Sequence, residues 1–150
     1  MSTESKKSPA SEGLSQDERN AVKERAKELR AEAKAGKSRA AGEKALLEAI
    51  AAMTPDEKEL AEGIHAIVSE VAPELFPKTY YSMPAWANAD GKIVLFFQPA
   101  TKFKARYSTL GFEGAAALDD GDMWSTAFAL VAFTPATKKR ITELVEKAAG

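Results

Sequence analysis

The chain has 150 residues, 45% of them hydrophobic, and a net charge of −1 from 21 basic and 22 acidic side chains. That is enough apolar material for one core, and too little charge of one sign to hold nucleic acid or an anionic membrane surface through its overall field. It contains no cysteine and a single histidine, His65, which excludes a disulfide scaffold, a thiol nucleophile, cysteine-ligated zinc or iron–sulfur centres, and any site needing two imidazoles.

Residues 1–14 are rich in Ser, Lys, Glu and Pro with almost nothing to bury, so they are expected to form a disordered tail. No apolar run occurs in the first twenty residues, and the longest strongly apolar stretch is 93–97. Neither a signal peptide nor a membrane span is therefore expected, and the expected compartment is the cytoplasm. From Ser15 the pattern turns helical. Ser15 and Glu18 fit a capping box, and Val22, Ala26, Leu29 and Ala33 form a narrow stripe with charged pairs such as Glu24 and Lys27 around it. A break is expected over 36–42, which contains Gly36 and Gly42, before a second helix with Leu46, Leu47, Ile50 and Met53 on its buried edge. Residues 15–53 are thus read as a charged helical extension, and 54–150 as the main domain.

Thr54-Pro55-Asp56-Glu57 is the clearest helix start in the chain. Thr54 can cap, Pro55 occupies the first helical position where its missing N–H costs nothing, and Glu57 completes the box. Leu60, Ile64, Ile67, Val68 and Val71 make a broad apolar face, stopped by Pro73 and Pro77. The period then drops to two. Strands are expected over 78–83, 85–87, 92–98, 101–110 and 124–133, with turn chemistry at 88–91 and a loop over 111–122. Ile93, Val94, Leu95, Phe96 and Phe97 do not alternate with polar residues. That strand should be central, with Ile93, Leu95 and Phe97 on one face, Val94 and Phe96 on the other, and both faces covered by the N-terminal helices or a second subunit. Thr134-Pro135 opens a closing helix with Ile141, Leu144, Val145 and Ala148 inward. Strands gathered in one stretch between helices indicate an α+β fold with a largely antiparallel sheet packed against helices.

Few residues offer chemistry. Gly36-Lys37-Ser38 resembles the end of a phosphate-binding loop, but Ala31 stands where its first glycine is required and a charged helix precedes it, so a linker is the better reading. Asp119-Asp120-Gly121-Asp122 lacks the spacing and distal Glu of a calcium loop and reads as an exposed turn. His65 has no Ser, Asp or second His at a helical spacing and reads as a flanking side chain. Glu59, Glu62 and Glu70 share one flank of their helix within a segment, 41–76, that carries a charge of −6. Such a surface binds hard cations weakly and can hold iron. Lys102, Lys104 and Arg106, alternating with Phe103, Ala105 and Tyr107, would project together from a strand as a cradle for an anionic ligand or a partner's acidic face. Tyr80, Tyr81, Met83, Pro84, Trp86 and Trp124 are a concentrated aromatic set that serves as core or as pocket wall.

Three segments, Tyr80-Tyr81-Ser82-Met83-Pro84-Ala85-Trp86, Gly91-Lys92-Ile93-Val94-Leu95-Phe96-Phe97 and Lys102-Phe103-Lys104-Ala105-Arg106-Tyr107, resemble the YdhG-like family of bacterial domains of unknown function. The likeness covers about residues 56–149. It implies a compact α+β sandwich without established catalytic residues, and some relatives are described as frataxin-like iron chaperones. The expectation is a non-enzymatic binding module for a small anionic ligand or a protein partner, with no cofactor, no nucleic acid and no membrane, as a monomer or homodimer. Its site would use Tyr81, Met83 and Trp86 near a Met83-Pro84 turn, with Lys102, Lys104 and Arg106 as polar contacts. The alternative is iron handling by Glu59, Glu62 and Glu70.

Overall fold

A computed structural model describes residues 16–150. The expected tail, the Ser15 cap and the side chains of Glu24, Lys27, Leu29 and Ala33 lie outside what it describes. By its contacts the chain falls into two units, Met1–Ser38 and Arg39–Gly150, and the second holds the sheet and the core. Among the described residues no helix is long and apolar enough to cross a membrane.

Helix α1 (Gln16–Ala51) runs without interruption through the segment expected to break. Two glycines in a helix interior cost about 1 kcal/mol each against alanine, and here the surrounding Ala, Lys, Glu and Arg outweigh that. Gly42 also has a packing reason to be there: a Cβ at this position would collide with the Pro77 carbonyl oxygen. Leu46 and Ile50 are core residues, whereas Leu47 is exposed. The compact unit therefore begins at Arg39, earlier than the expected boundary at 54.

Helix α2 (Pro55–Val71) begins where its sequence signals place it, with the Thr54 hydroxyl accepting the Glu57 N–H at 3.4 Å. Leu60, Ala61, Ile64, Ile67 and Val68 are buried, and the helix stops at Ala72, before Pro73. Helix α3 (Pro135–Ala149) starts in the same way, with Thr134 accepting the Thr137 N–H at 3.1 Å and Ile141, Val145 and Ala148 buried.

Between these helices lie β1 (Phe76–Tyr80), β2 (Met83–Ala87), β3 (Ile93–Gln98), β4 (Ser108–Phe112) and β5 (Ala127–Leu130). They form one antiparallel sheet in the order β1-β2-β3-β4-β5, so β3 is central. The fold is α+β, with an antiparallel sheet against helices, as the pattern of elements predicts. Trp86, Leu95, Phe97, Leu110, Phe112 and Leu130 join α1, α2 and α3 residues in one core. Trp86 donates its indole N–H to His65 Nδ1 at 3.2 Å, while His65 Nε2 lies 3.4 Å from a Glu43 carboxylate oxygen. His65 thus joins the sheet to α1.

The expected geometry of β3 needs correcting at its start. Trp86 pairs with Leu95 but Ala87 pairs with Ile93, which leaves Val94 as the extra residue of a bulge. Val94 consequently joins Leu95 and Phe97 in the core, and Ile93 is half-buried on the other face. No helix is needed to cover that second face at its centre. Ala85, Phe96, Gly111 and Ala127 stand in register across four strands, and the Phe96 ring occupies the space a Cβ on Gly111 would need. Tyr80, 5.8 Å from Phe96 ring to ring, completes a partial roof, with Ala85 fully buried below and Phe96 half-buried.

Candidate functional site

Two connections meet beside the end of α1. The first is the β1–β2 turn. Tyr81 and Ser82 both take left-handed backbone angles, φ 50° and 65°, as a two-residue hairpin turn requires. Reversal therefore falls at Tyr81-Ser82, inside the strand expected over 78–83. Met83 and Pro84, expected to be the turn, are buried residues of β2.

The second connection is 99–107, exposed from 101 onward; the strand expected over 101–110 is a loop as far as 107, and only 108–110 belong to β4. The Lys104 N–H donates to the Thr101 carbonyl at 3.2 Å and the Ala105 N–H to the Ala100 carbonyl at 2.9 Å. Lys104 takes φ 54°, so the backbone curls and the alternation of basic and apolar side chains builds no sheet face. The loop is held at both feet. The Ala100 N–H donates to Ser108 Oγ at 3.0 Å, and the Thr101 N–H donates to the Glu57 carboxylate at 2.8 Å. Glu57 is only 7% exposed. Burial by itself would raise its pKa, but the hydrogen bonds from Thr101 and Thr54 outweigh that and hold it below its ordinary value. A buried, ionised carboxylate thus fixes the loop that carries Lys102, Lys104 and Arg106.

Between these two connections, the end of α1 and the start of α2 lies a cleft of about 510 Å³. Ala45, Ala49 and Met53 supply apolar wall, and Thr54, Thr79, Ser82 and Thr101 bring hydroxyl groups. Its charged lining residues are Glu48, Glu57 and Lys102.

Of the residues expected at a binding site, Lys102 lines this cleft, and Lys104 and Arg106 sit exposed in the same loop, with Arg106 stacked over Tyr107 at 5.0 Å. Tyr81 is 78% exposed beside Ser82 and packs on Tyr80 at 4.7 Å between rings. Trp86 is fully buried and Met83 nearly so, which makes both framework residues. Trp124 lies partly exposed outside β5, which is shorter than the strand expected over 124–133. Glu59, Glu62 and Glu70 are exposed on α2, and residue 70 stands about 12 Å along the axis from residue 62. Among the described residues no group of three or more His, Cys, Asp or Glu is placed to hold a metal ion. Asp119, Asp120 and Asp122 flank Gly121 in an exposed segment, with the glycine at φ 68°.

Thr79, Ser82, Thr101 and the anchoring role of Glu57 are not among the residues expected from sequence. Only the last had a legible signal, as the closing member of the Thr54 capping box. Comparisons with protein-family models, curated proteins and solved structures find no match to this chain.

Proposed function

We propose that residues 39–150 form a non-enzymatic binding module whose ligand is a small carboxylate- or phosphate-bearing molecule held in the cleft of about 510 Å³. One observation carries the reading: Glu57 spends a buried charge on the Thr101 N–H, fixing a loop that carries three cations, of which Lys102 lines the cleft. Lys102 would meet the anionic group, with Lys104 and Arg106 raising the local positive potential. The hydroxyls of Thr54, Thr79, Ser82 and Thr101 would contact the ligand's oxygens, and the alanine wall would take its carbon skeleton. The volume falls within the ordinary range of small-molecule pockets. The resemblance of 80–107 to the YdhG-like family, which has no established catalytic residues, agrees with a binding role, and Glu48 favours a ligand that also carries an amino group.

The test is thermal denaturation with citrate, inorganic phosphate, glutamate and adenosine monophosphate, followed by calorimetry on any compound that raises Tm. A ligand bound only by the folded state must raise it. The expected result is a dose-dependent rise with at least one of the four that disappears in the Lys102→Ala, Lys104→Ala, Arg106→Ala triple variant. No rise with any, or a rise the triple variant keeps, overturns the proposal.

A further inference from the structure

The two edges of the sheet are treated differently. At β1, Gly42 of α1 presses its backbone on the Pro77 carbonyl, Arg39 lies 5.1 Å over the Phe76 ring, and Pro77 itself presents no N–H. Among the described residues nothing comparable guards β5. The bond from the Phe112 N–H to the Thr126 carbonyl, 2.7 Å, sets the phase of the ladder. Phe128 and Leu130 therefore turn their backbone groups to β4, while Ala127 and Ala129 turn theirs outward. Among the described residues those outward groups meet no hydrogen-bond partner. Natural edges are blunted by charge, proline, a bulge or a covering element. Here the exposed side chains are Ala127, Ala129 and Val131, the last 79% exposed, with Met123 88% exposed nearby.

Beside this edge a groove of about 360 Å³ runs between β5 and α3, walled by Phe128, Leu130, Ile141 and Leu144. It adjoins a second hollow at Met123 and Trp124. The charged residues on the two linings are Arg140, Lys147 and Asp120, a net positive set. Arg140 stacks on Phe128 at 5.3 Å and has no carboxylate partner among the described residues. A second copy paired edge to edge would set Arg140 and Lys147 against their own counterparts, which like charges disfavour. A strand that brings its own carboxylates complements them.

We infer that the β5 edge and the β5–α3 groove dock an extended segment of a partner protein, with alternating apolar and acidic side chains, as a sixth strand of the sheet. Backbone hydrogen bonds to Ala127 and Ala129 supply sequence-independent affinity, the groove takes the apolar side chains, and Arg140 receives a carboxylate.

The probe is a displayed library of random peptides about ten residues long, selected on the full chain, with one synthetic representative carried into titrations. Enriched peptides are expected to be acidic, apolar and free of proline. Their binding should weaken by about tenfold or more in Ala129→Pro, which removes an outward N–H and no native bond, and in Arg140→Glu. Ala129→Asp, at an exposed position, gives the same readout should the proline variant fold poorly. Absence of enrichment, enrichment of basic peptides, or binding indifferent to Ala129→Asp overturns the inference. So does a dimer in sedimentation velocity that Ala129→Asp dissolves, since the occupant is then a second copy.

Discussion

Leu95 and Phe96 are neighbours on the central strand, and the structure assigns them different energies. Leu95 is fully buried, paired with Trp86 on one side and Phe112 on the other. Those rings cannot collapse far into a void, so Leu95→Ala is expected in the upper part of the range for enclosed leucines, about 4 kcal/mol. Phe96 lies half-buried over Gly111 and beside Tyr80. Losing about 100 Å² of its contact, at about 25 cal/mol per Å², gives about 2.5 kcal/mol for Phe96→Ala. With a urea slope near 1.5 kcal/mol/M, the denaturation midpoints should fall by about 2.7 M and about 1.7 M respectively. A second perturbation isolates the roof. Gly111→Ala should destabilise the wild type, because its methyl meets the Phe96 ring, and be nearly silent in a Phe96→Ala background. The coupling in that cycle should exceed about 1 kcal/mol. Equal midpoint shifts at 95 and 96, a silent Phe96→Ala, or additive effects at 96 and 111 would refute the roofed-face argument.

Gly42→Ala should lower stability by about 1–3 kcal/mol in thermal or urea unfolding, reversing the gain of about 1 kcal/mol that the change gives in an open helix. His65→Leu strands the buried Trp86 N–H and should cost about 1–3 kcal/mol, most of which disappears when Trp86 is already phenylalanine. Glu57 contributes stability that is present above the ordinary value of 4.5 and lost as pH falls through its lower folded value. Glu57→Gln should therefore be least stable relative to wild type near neutral pH, with the gap closing below about pH 4 in pH-resolved unfolding. Conversely, a gap that widens in acid would show that the Thr101 bond does not favour the ionised form.

What could be read from the sequence was what neighbours decide. The Thr-Pro starts at 54 and 134 are local chemistry, and both helices begin there. The central place of β3 followed from a run too apolar for an edge. Residues 101–107 misled because alternation is necessary for a strand but not sufficient: a strand needs a partner ladder, and the curl at Lys104 removes these residues from one. The stretch 36–42 misled for the opposite reason. Glycine looked like punctuation, yet Gly42 is there to let a helix approach Pro77, 35 residues further on. At the cleft, Lys102 was legible as a cation in a basic cluster. Thr79, Ser82 and Thr101 were not, because isolated hydroxyls gain meaning only when turns far apart in sequence converge.

Every strand of this sheet pairs with the one before it in the chain. Loop closures are therefore short through most of the molecule, and the β1–β2 and β2–β3 hairpins can form early. The longer-range closure is left to α3, which packs on α2 and whose Ala148 carbonyl accepts the Ala117 N–H at 3.0 Å. During synthesis that helix follows all five strands. Until it emerges, the growing chain carries a finished meander with Leu110 and Leu130 still wet, inviting chaperones or a neighbouring nascent chain. Kinetic φ-values should accordingly be high in β2 and β3 and near zero at Ile141 and Val145.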